Sequence, residues 1–523
     1  MSYVKTVWRD LPDRTTPITA ARLNNAETQY DSAMAEVNAR ARLLVGANDS
    51  ATDYANLQAA VDEAATAGAP IAVRGQFQLT GGSIAPSSAV SIDADGATFT
   101  QLDDLRPTFV LPANTVLRGG RIVGKGTDWV NTSAVYPACG VQIAGENVTV
   151  RDLNVQSMSG AGVYMPSPFA GLRVIDCVLS GVGSGIIPAS TGQFSGGVVF
   201  GNNGVSGFTI RGGRISGFAQ GVVTGSVSDF YIGGGLEVSA AGQHGVYLGA
   251  VDGGVISGLL VDGVPLQGVK VQISNSGGSD SELLTIGDVT VRGNGSHGVL
   301  VTNVDGAPTQ YNRRVSIHDV VVEHAVGGGG DGISLSAVTN ATIHDVVAVG
   351  GWRGIRAVNC SQLSVHHNSF SGFAKSGISL SDVSSSDFDH NVLLDGASLN
   401  DAADEFGIYV LGTGSTNLRF AHNRISDAAA NMKYGIYVAA DVLTSAALIG
   451  NSSTGMTDYG FRSSATTASQ IWLGNTLGGT LGRFFNVPTN AADVADTSGA
   501  ALAALETEVN KLKARMRLFG VMG

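Results

Sequence analysis

Gly332-Ile333-Ser334-Leu335, Gly354-Ile355-Arg356-Ala357 and Gly377-Ile378-Ser379-Leu380 are three copies of one phrase: a glycine, an aliphatic residue, a variable residue and a second aliphatic. The phrase recurs as Gly140-Val141-Gln142-Ile143, Gly162-Val163-Tyr164-Met165, Gly245-Val246-Tyr247-Leu248, Gly268-Val269-Lys270-Val271 and Gly298-Val299-Leu300-Val301, with a shorter copy at Gly221-Val222. Later copies begin at Gly407, Gly435 and Gly460. The closest copies are 22 to 25 residues apart, and the longer intervals carry polar, glycine-rich insertions. Self-similarity at such a period marks a solenoid, whose repeats bury their apolar sides against one another.

The content of each period selects the kind of solenoid. A second alternating run follows the glycine phrase, as in Thr342-Ile343-His344-Asp345-Val346, and then a third, as in Val347-Ala348-Val349. Alternation at period two, with turns every few residues and no room for a helix, specifies strands. Two or three strands in a coil of roughly 23 residues, at about 3.3 Å per residue, wind one turn of a parallel β-helix. The expectation is a long all-β domain.

Composition agrees. With 72 glycines and only 14% charged residues, the chain suits tight turns around a narrow aliphatic core. Mean hydropathy is +0.17, yet no apolar run approaches the roughly 20 residues of a membrane span, so no membrane insertion is expected. Met1 to Asp10 is polar and lacks the apolar stretch of a signal peptide. Cys139, Cys177 and Cys360 form neither a disulfide framework nor a zinc pattern, which is compatible with assembly in a reducing cytoplasm. A net charge of −12 argues against nucleic acid as a partner.

The two ends differ from the middle. Residues 16 to 45 read as a helix, with Thr16 at the N-cap and Pro17 at the first helical position. Leu23, Tyr30, Val37 and Leu44 recur every seven residues as a short heptad seam. A second seam, Leu502, Leu505, Val509, Leu512, Met516 and Phe519, follows a linker at about 486 to 500 and predicts self-association, as a homotrimer. Between these ends, Leu57, Val61, Ala64 and Ala65 define one face of a helix that precedes the extended run Pro70 to Leu79. A helix laid across the first coil would protect its open edge. The chain therefore divides into an N-terminal segment with a helix (1–48), a capped β-helix (49–485), a linker (486–500) and a coiled coil (501–523).

The order of Asp53 to Ala65, the strand to Leu79 and the glycine-phrase coils resembles the entry of the pectate-lyase-like right-handed parallel β-helix family, in particular its bacteriophage tailspike members. Trp8-Arg9-Asp10, followed by Thr16-Pro17-Ile18-Thr19-Ala20-Ala21-Arg22-Leu23-Asn24, is similar to the virion-attachment start of phage tail fibres and tailspikes. The resemblance implies a homotrimer in the phage virion, assembled in the host cytoplasm, attached through its N-terminus to phage tail or baseplate proteins and contacting host surface polysaccharide. It implies no cofactor and does not establish catalysis.

Polar residues align along the second strands. Asp152, Asp176, Asp288, Asp319 and Asp345 occupy one level, continued by His367, His390 and His422, and one residue later stand Asn368, Asn391, Asn423, Asn451 and Asn475. Asn tolerates left-handed backbone and its amide can bond the Asn one coil away, so the asparagines are read as corner supports. The histidines are also read as structural, because metal ligands must converge on a point whereas a ladder is a line.

The variable position of the phrase points outward. Its occupants Ser334, Arg356, Ser379, Tyr409, Tyr437 and Arg462 make a strip in which Tyr409 and Tyr437 should be neighbours about 4.8 Å apart. Tyr409, Tyr437, Arg356 and Arg462 are the candidate glycan-binding residues; aromatic rings and arginines there suit either sugars or a subunit interface. The insertions supply candidate acid-base carboxylates: Asp404 or Glu405 with Asp427, or alternatively Asp280 or Glu282 with Asp305. One or two coil steps match the carboxylate separations of glycoside hydrolysis. No metal site is assigned. The function expected is recognition of host polysaccharide; the alternatives are a glycan depolymerase of the same architecture and a structural virion spacer or baseplate component.

Overall fold

A computed structural model describes Thr28 and residues 42–485, apart from 104–105, 127–137, 183–194, 274–280, 304–309, 326–328, 397–405, 440–444, 464–468 and 480–481. The chain forms two compact units, Met1–Gly330 and Asp331–Gly523. The heptad seam at 502–519, and that at 23–44 except for Leu44, lie outside the described residues, as do Asp404, Glu405, Asp280 and Asp305. Among the described residues no helix is long and apolar enough to cross a membrane.

Unit 1 begins with a departure from the sequence reading. Arg42–Ala47, whose first four residues the heptad spacing places at the end of a helix, is a strand that pairs in parallel with Ile71–Leu79. Leu44 sits opposite Val73, so the pairing offered by the first coil outweighs the weak seven-residue seam. The helix Asp53–Ala67 does form, and Leu57, Val61, Ala64 and Ala65 are its buried apolar residues, as the periodicity predicts. Gly68 closes it in the left-handed conformation, its N–H donating to the Ala64 and Ala65 carbonyls. Buried Asp53 fastens the helix to the coil by accepting the backbone N–H groups of Ala47 (3.0 Å), Asp49 (2.8 Å) and Gln78 (2.9 Å).

In both units the strands of successive coils pair in parallel, the glycine phrases forming one face of the coil. The repeated glycine has a steric cause. A Cβ on Gly407 would lie 2.5 Å from the carbonyl oxygen of Gly435 and 2.6 Å from Cγ2 of Ile425 on the third strand. In unit 1 a Cβ on Gly245 would meet the Gly268 oxygen and Val261 Cγ1, both at 2.6 Å. The glycine therefore marks where the first strand crosses closest to the third, and any side chain would displace both backbone and core.

The core of unit 2 is a column along the coil axis. Ile333, Ile355, Ile378, Ile408 and Ile436 are in register on successive coils, all fully buried, and Phe461 continues them. Each buried aliphatic contributes about 1.5–3 kcal/mol. A second column, Phe370, Leu393 and Ile425, faces it from the third strands.

The corner between second and third strands resolves the polar rows. Asp345, His367, His390 and His422 all have φ between 52° and 58°, so they share one left-handed corner position. Asp152, Asp176, Asp288 and Asp319 hold the same conformation in unit 1. The asparagines one residue later are not left-handed. Their role is bonding: the Nδ2 of Asn368 donates to Ile343 O (3.1 Å) and to Asn391 Oδ1 (2.9 Å), and the pattern repeats through Asn391, Asn423 and Asn451 to Asn475. The ladder of asparagines exists as the sequence suggests, but the left-handed turn is made by the residue that precedes each of them: His367, His390, His422, Gly450 and Gly474.

Candidate functional site

All four predicted glycan-binding residues fall in one outward column of unit 2. Arg356 pairs with Ser379, Ser379 with Tyr409, Tyr409 with Tyr437, and Tyr437 with Arg462. Tyr409, Tyr437 and Arg462 thus occupy consecutive coils, whereas Arg356 stands two coils away. Ser334 and Ser379, expected to be exposed at the same position, are buried, because short side chains in a column of larger ones are overshadowed.

A second aromatic column stands beside the first. Phe406, Tyr434 and Tyr459 immediately precede the phrase glycines of the same three coils, and they pair in register. The inward turn of the glycine sends this preceding residue outward, next to the variable one. Phe406 stacks on Tyr409 (4.2 Å between centroids, 19°) and lies 5.1 Å from Tyr437. Tyr409 and Tyr437 are 5.5 Å apart at 29°, and Tyr434 and Tyr437 are 5.2 Å apart at 28°. Sequence reasoning missed this column, although an aromatic residue directly before glycine in three successive coils was a visible signal.

Arg462 closes the array. Its guanidinium carbon lies 5.2 Å from the Tyr434 ring centre and 5.3 Å from that of Tyr437, and its Nη1 donates to the Tyr434 hydroxyl. Burial pushes the Tyr434 phenol above its usual range, against the pull of Arg462. Phe406, Tyr409, Tyr434, Tyr437 and Arg462, joined by Lys433 and Asp458, line a shallow pocket of about 310 Å³. The ring faces are largely spent on one another, so the pocket presents ring edges, phenol oxygens, two cations and one carboxylate. Such a surface can hydrogen-bond sugar hydroxyls and pair with an acidic group.

The carboxylates are placed differently from the aromatic residues. Asp427 is 2% exposed, and its oxygens accept the backbone N–H groups of Ala429, Asn431 and Met432. It therefore holds its own turn. Glu282, in unit 1, is paired with Arg314. Its proposed companions, like those of Asp427, lie outside the described residues.

The phrase runs through most of one family match. A family model described as a right handed beta helix region matches residues 267–452. The chain is a right-handed parallel β-helix. No curated protein matches the sequence. Among solved structures the β-helix is similar to tailspike protein 3 of bacteriophage CBA120, at 13% identity and a TM-score of 0.39, covering 90% of this chain and 63% of that one. It is also similar to the pre-mature gene product 12 of bacteriophage phi29, at 12% identity and a TM-score of 0.48, over 86% of this chain and 68% of that one. A third is the A-module of the Azotobacter vinelandii mannuronan C-5 epimerase AlgE6, at 14% identity and a TM-score of 0.36, over 82% of this chain and 97% of that one. The chain thus spans less than two thirds of the tailspike.

Proposed function

We propose that this β-helix binds polysaccharide, and that it does so as the host-recognition subunit of a phage tailspike or tail fibre. The observation that carries the reading is the pocket in which rings from consecutive coils are edged by Arg462 and Lys433, since its repeat follows the coil and suits a linear chain of sugars lying across it. The virion role is supported by the similarity of residues 8–24 to phage attachment segments and by the heptad seam at 502–519. On this reading three copies join through their ends, the N-terminus attaches to phage tail or baseplate proteins, and the outer face meets the host glycan.

The test is incubation of the full chain with purified host surface polysaccharide, measuring both retention and released oligosaccharide. Retention that falls at least about 10-fold in Tyr409→Ala, with melting unchanged, is the expected result. Retention unaffected by that substitution, in a folded protein, overturns the placement. Release of oligosaccharide would make the protein a depolymerase, and replacing Asp404 and Glu405 together would then be the next variant.

A further inference from the structure

The corner of unit 2 carries more imidazole than its turn requires. Five of the nine histidines of the chain, His344, His366, His367, His390 and His422, line this one edge. Their rings stack coil upon coil: His367 on His390 at 5.2 Å and His390 on His422 at 4.7 Å. A stack of rings is a line: His366 Nδ1 meets His367 Nδ1 at 3.0 Å, but along most of the stack three donors do not converge.

At one place they do. His390 and His422 hold φ of 52°, which tips each ring back over the preceding column of the strand, where Asp389 stands. Asp389 Oδ1 lies 2.8 Å from His390 Nδ1 and 3.1 Å from His422 Nδ1, and donor atoms of all three residues lie within 4.8 Å of one another. The next coil gives the arrangement room. Gly450 follows at the corner position, and a Cβ there would come within 2.8 Å of the His422 ring.

We propose that Asp389, His390 and His422 form a binding site for a divalent transition-metal ion, with Zn²⁺ the best fit. Two imidazoles and one carboxylate are the donor set that borderline divalent ions prefer, and hard ions such as Ca²⁺ or Mg²⁺ take oxygen ligands instead. Ligands about 2.0–2.1 Å from a tetrahedral ion stand roughly 3.4 Å apart, so the 2.8 Å and 3.1 Å separations need only a small opening. The two rings have about half of their side-chain surface exposed, which permits that opening and gives the ion an entry path.

Without the ion, the Asp389 carboxylate accepts from the two Nδ1–H groups. With it, each neutral imidazole carries its one proton on Nε2 and presents the Nδ1 lone pair, so no proton leaves a neutral ring. The second oxygen of Asp389 stays oriented by Arg419, 3.8 Å away, which is itself held by Asp387 at 2.6 Å. His390 and Asp389 belong to one coil and His422 to the next, so the ion would clip adjacent coils together from outside. The cysteines do not compete, since all three are buried and burial pushes the Cys177 thiol up to about 12 and that of Cys360 to about 11.

The experiment is Zn²⁺ titration of chelator-treated full-length protein by calorimetry, with melting followed in parallel. The variants are His390→Asn and His422→Asn, because Asn keeps the left-handed corner while removing the imidazole. Asp389→Asn, at an ordinary backbone position, reads the same site without touching the corner. His344→Gln serves as the control in the same stack. The expected result is one ion per chain in the parent and the control, affinity lowered more than about 10-fold in each of the three variants, and a zinc-dependent rise in melting that those variants lose. Equal affinity in parent and variants, or no stoichiometric binding by the parent, overturns the proposal.

Discussion

The side-chain amide of Asn391 donates to Oδ1 of Asn423 at 3.0 Å, one coil further on, while its own Oδ1 accepts both the side-chain and the backbone N–H of Asn368 at 2.9 Å and 3.2 Å. Its Nδ2 also reaches the Val365 carbonyl at 3.0 Å. Every bonding capacity of one fully buried amide is used, and each bond ties one coil to another.

Replacing Asn391 by Leu keeps the branched shape but takes a hydrogen-bond partner from the buried groups of Asn368, Val365 and Asn423. At about 1–3 kcal/mol for each orphaned buried group, a loss of about 3 kcal/mol or more is expected. Denaturant unfolding of the variant beside the parent measures it, and an unchanged midpoint would mean that water reaches this corner.

Gly407 tests the steric account of the repeat. In Gly407→Ala the new methyl meets a backbone oxygen at 2.5 Å and Ile425 at 2.6 Å, and only the side chain can turn away. Overpacking of this kind costs about 1–3 kcal/mol. Gly474→Ala, where nothing lies within 4 Å but φ is +64°, separates strain from crowding. Gly407→Ala should cost less melting temperature in an Ile425→Ala background, which removes that Cγ2, than in the parent, and Gly474→Ala should cost the same in both.

How far the sequence led can be seen at these positions. The period of the glycine phrase and the alternation after it gave the coil, the inward isoleucine column and the outward Tyr409–Tyr437 pair, because strand alternation leaves one choice of face. The second aromatic column was missed because alternation, applied without a break, sends the residue before the glycine inward. The close crossing at the glycine reverses that, and only the packing reveals it. Residues 42–45 continued a heptad count in sequence while their partners, 71–74, lay far along the chain. The meeting of Asp389 with His390 and His422 depends on the tilt of a left-handed corner, which residue spacing does not encode.

His244 gives unit 1 a dependence on pH. Burial, aided by the charge of Lys270, lowers its pKa from 6.5 to about 4. The folded protein therefore resists a proton that the unfolded chain accepts. Above pH 6.5 neither state is protonated and the group costs nothing; as pH falls from 6.5 towards 4 the unfolded state gains, and stability declines by up to roughly 3 kcal/mol. Gln220 and Gln267 stand at the same place in the flanking coils, so His244→Gln is a compatible replacement. The parent should lose melting temperature relative to that variant between pH 6.5 and 4, and parallel pH profiles would show that His244 is not the group responsible.

Arg462 separates charge from shape in the proposed glycan pocket. Its planar group lies over two tyrosine rings and donates to a third atom, the Tyr434 hydroxyl, so the rings hold it in one orientation. Lysine in its place keeps the charge but loses the fork and most of the stacking, which is worth about 0.5–2 kcal/mol. If the guanidinium orients an acidic sugar, Arg462→Lys should weaken polysaccharide binding about 10-fold and Arg462→Ala further, with both losses shrinking as salt is raised. Binding by Arg462→Lys equal to the parent would show that a diffuse positive charge suffices, and that the tyrosine stack positions nothing for the ligand.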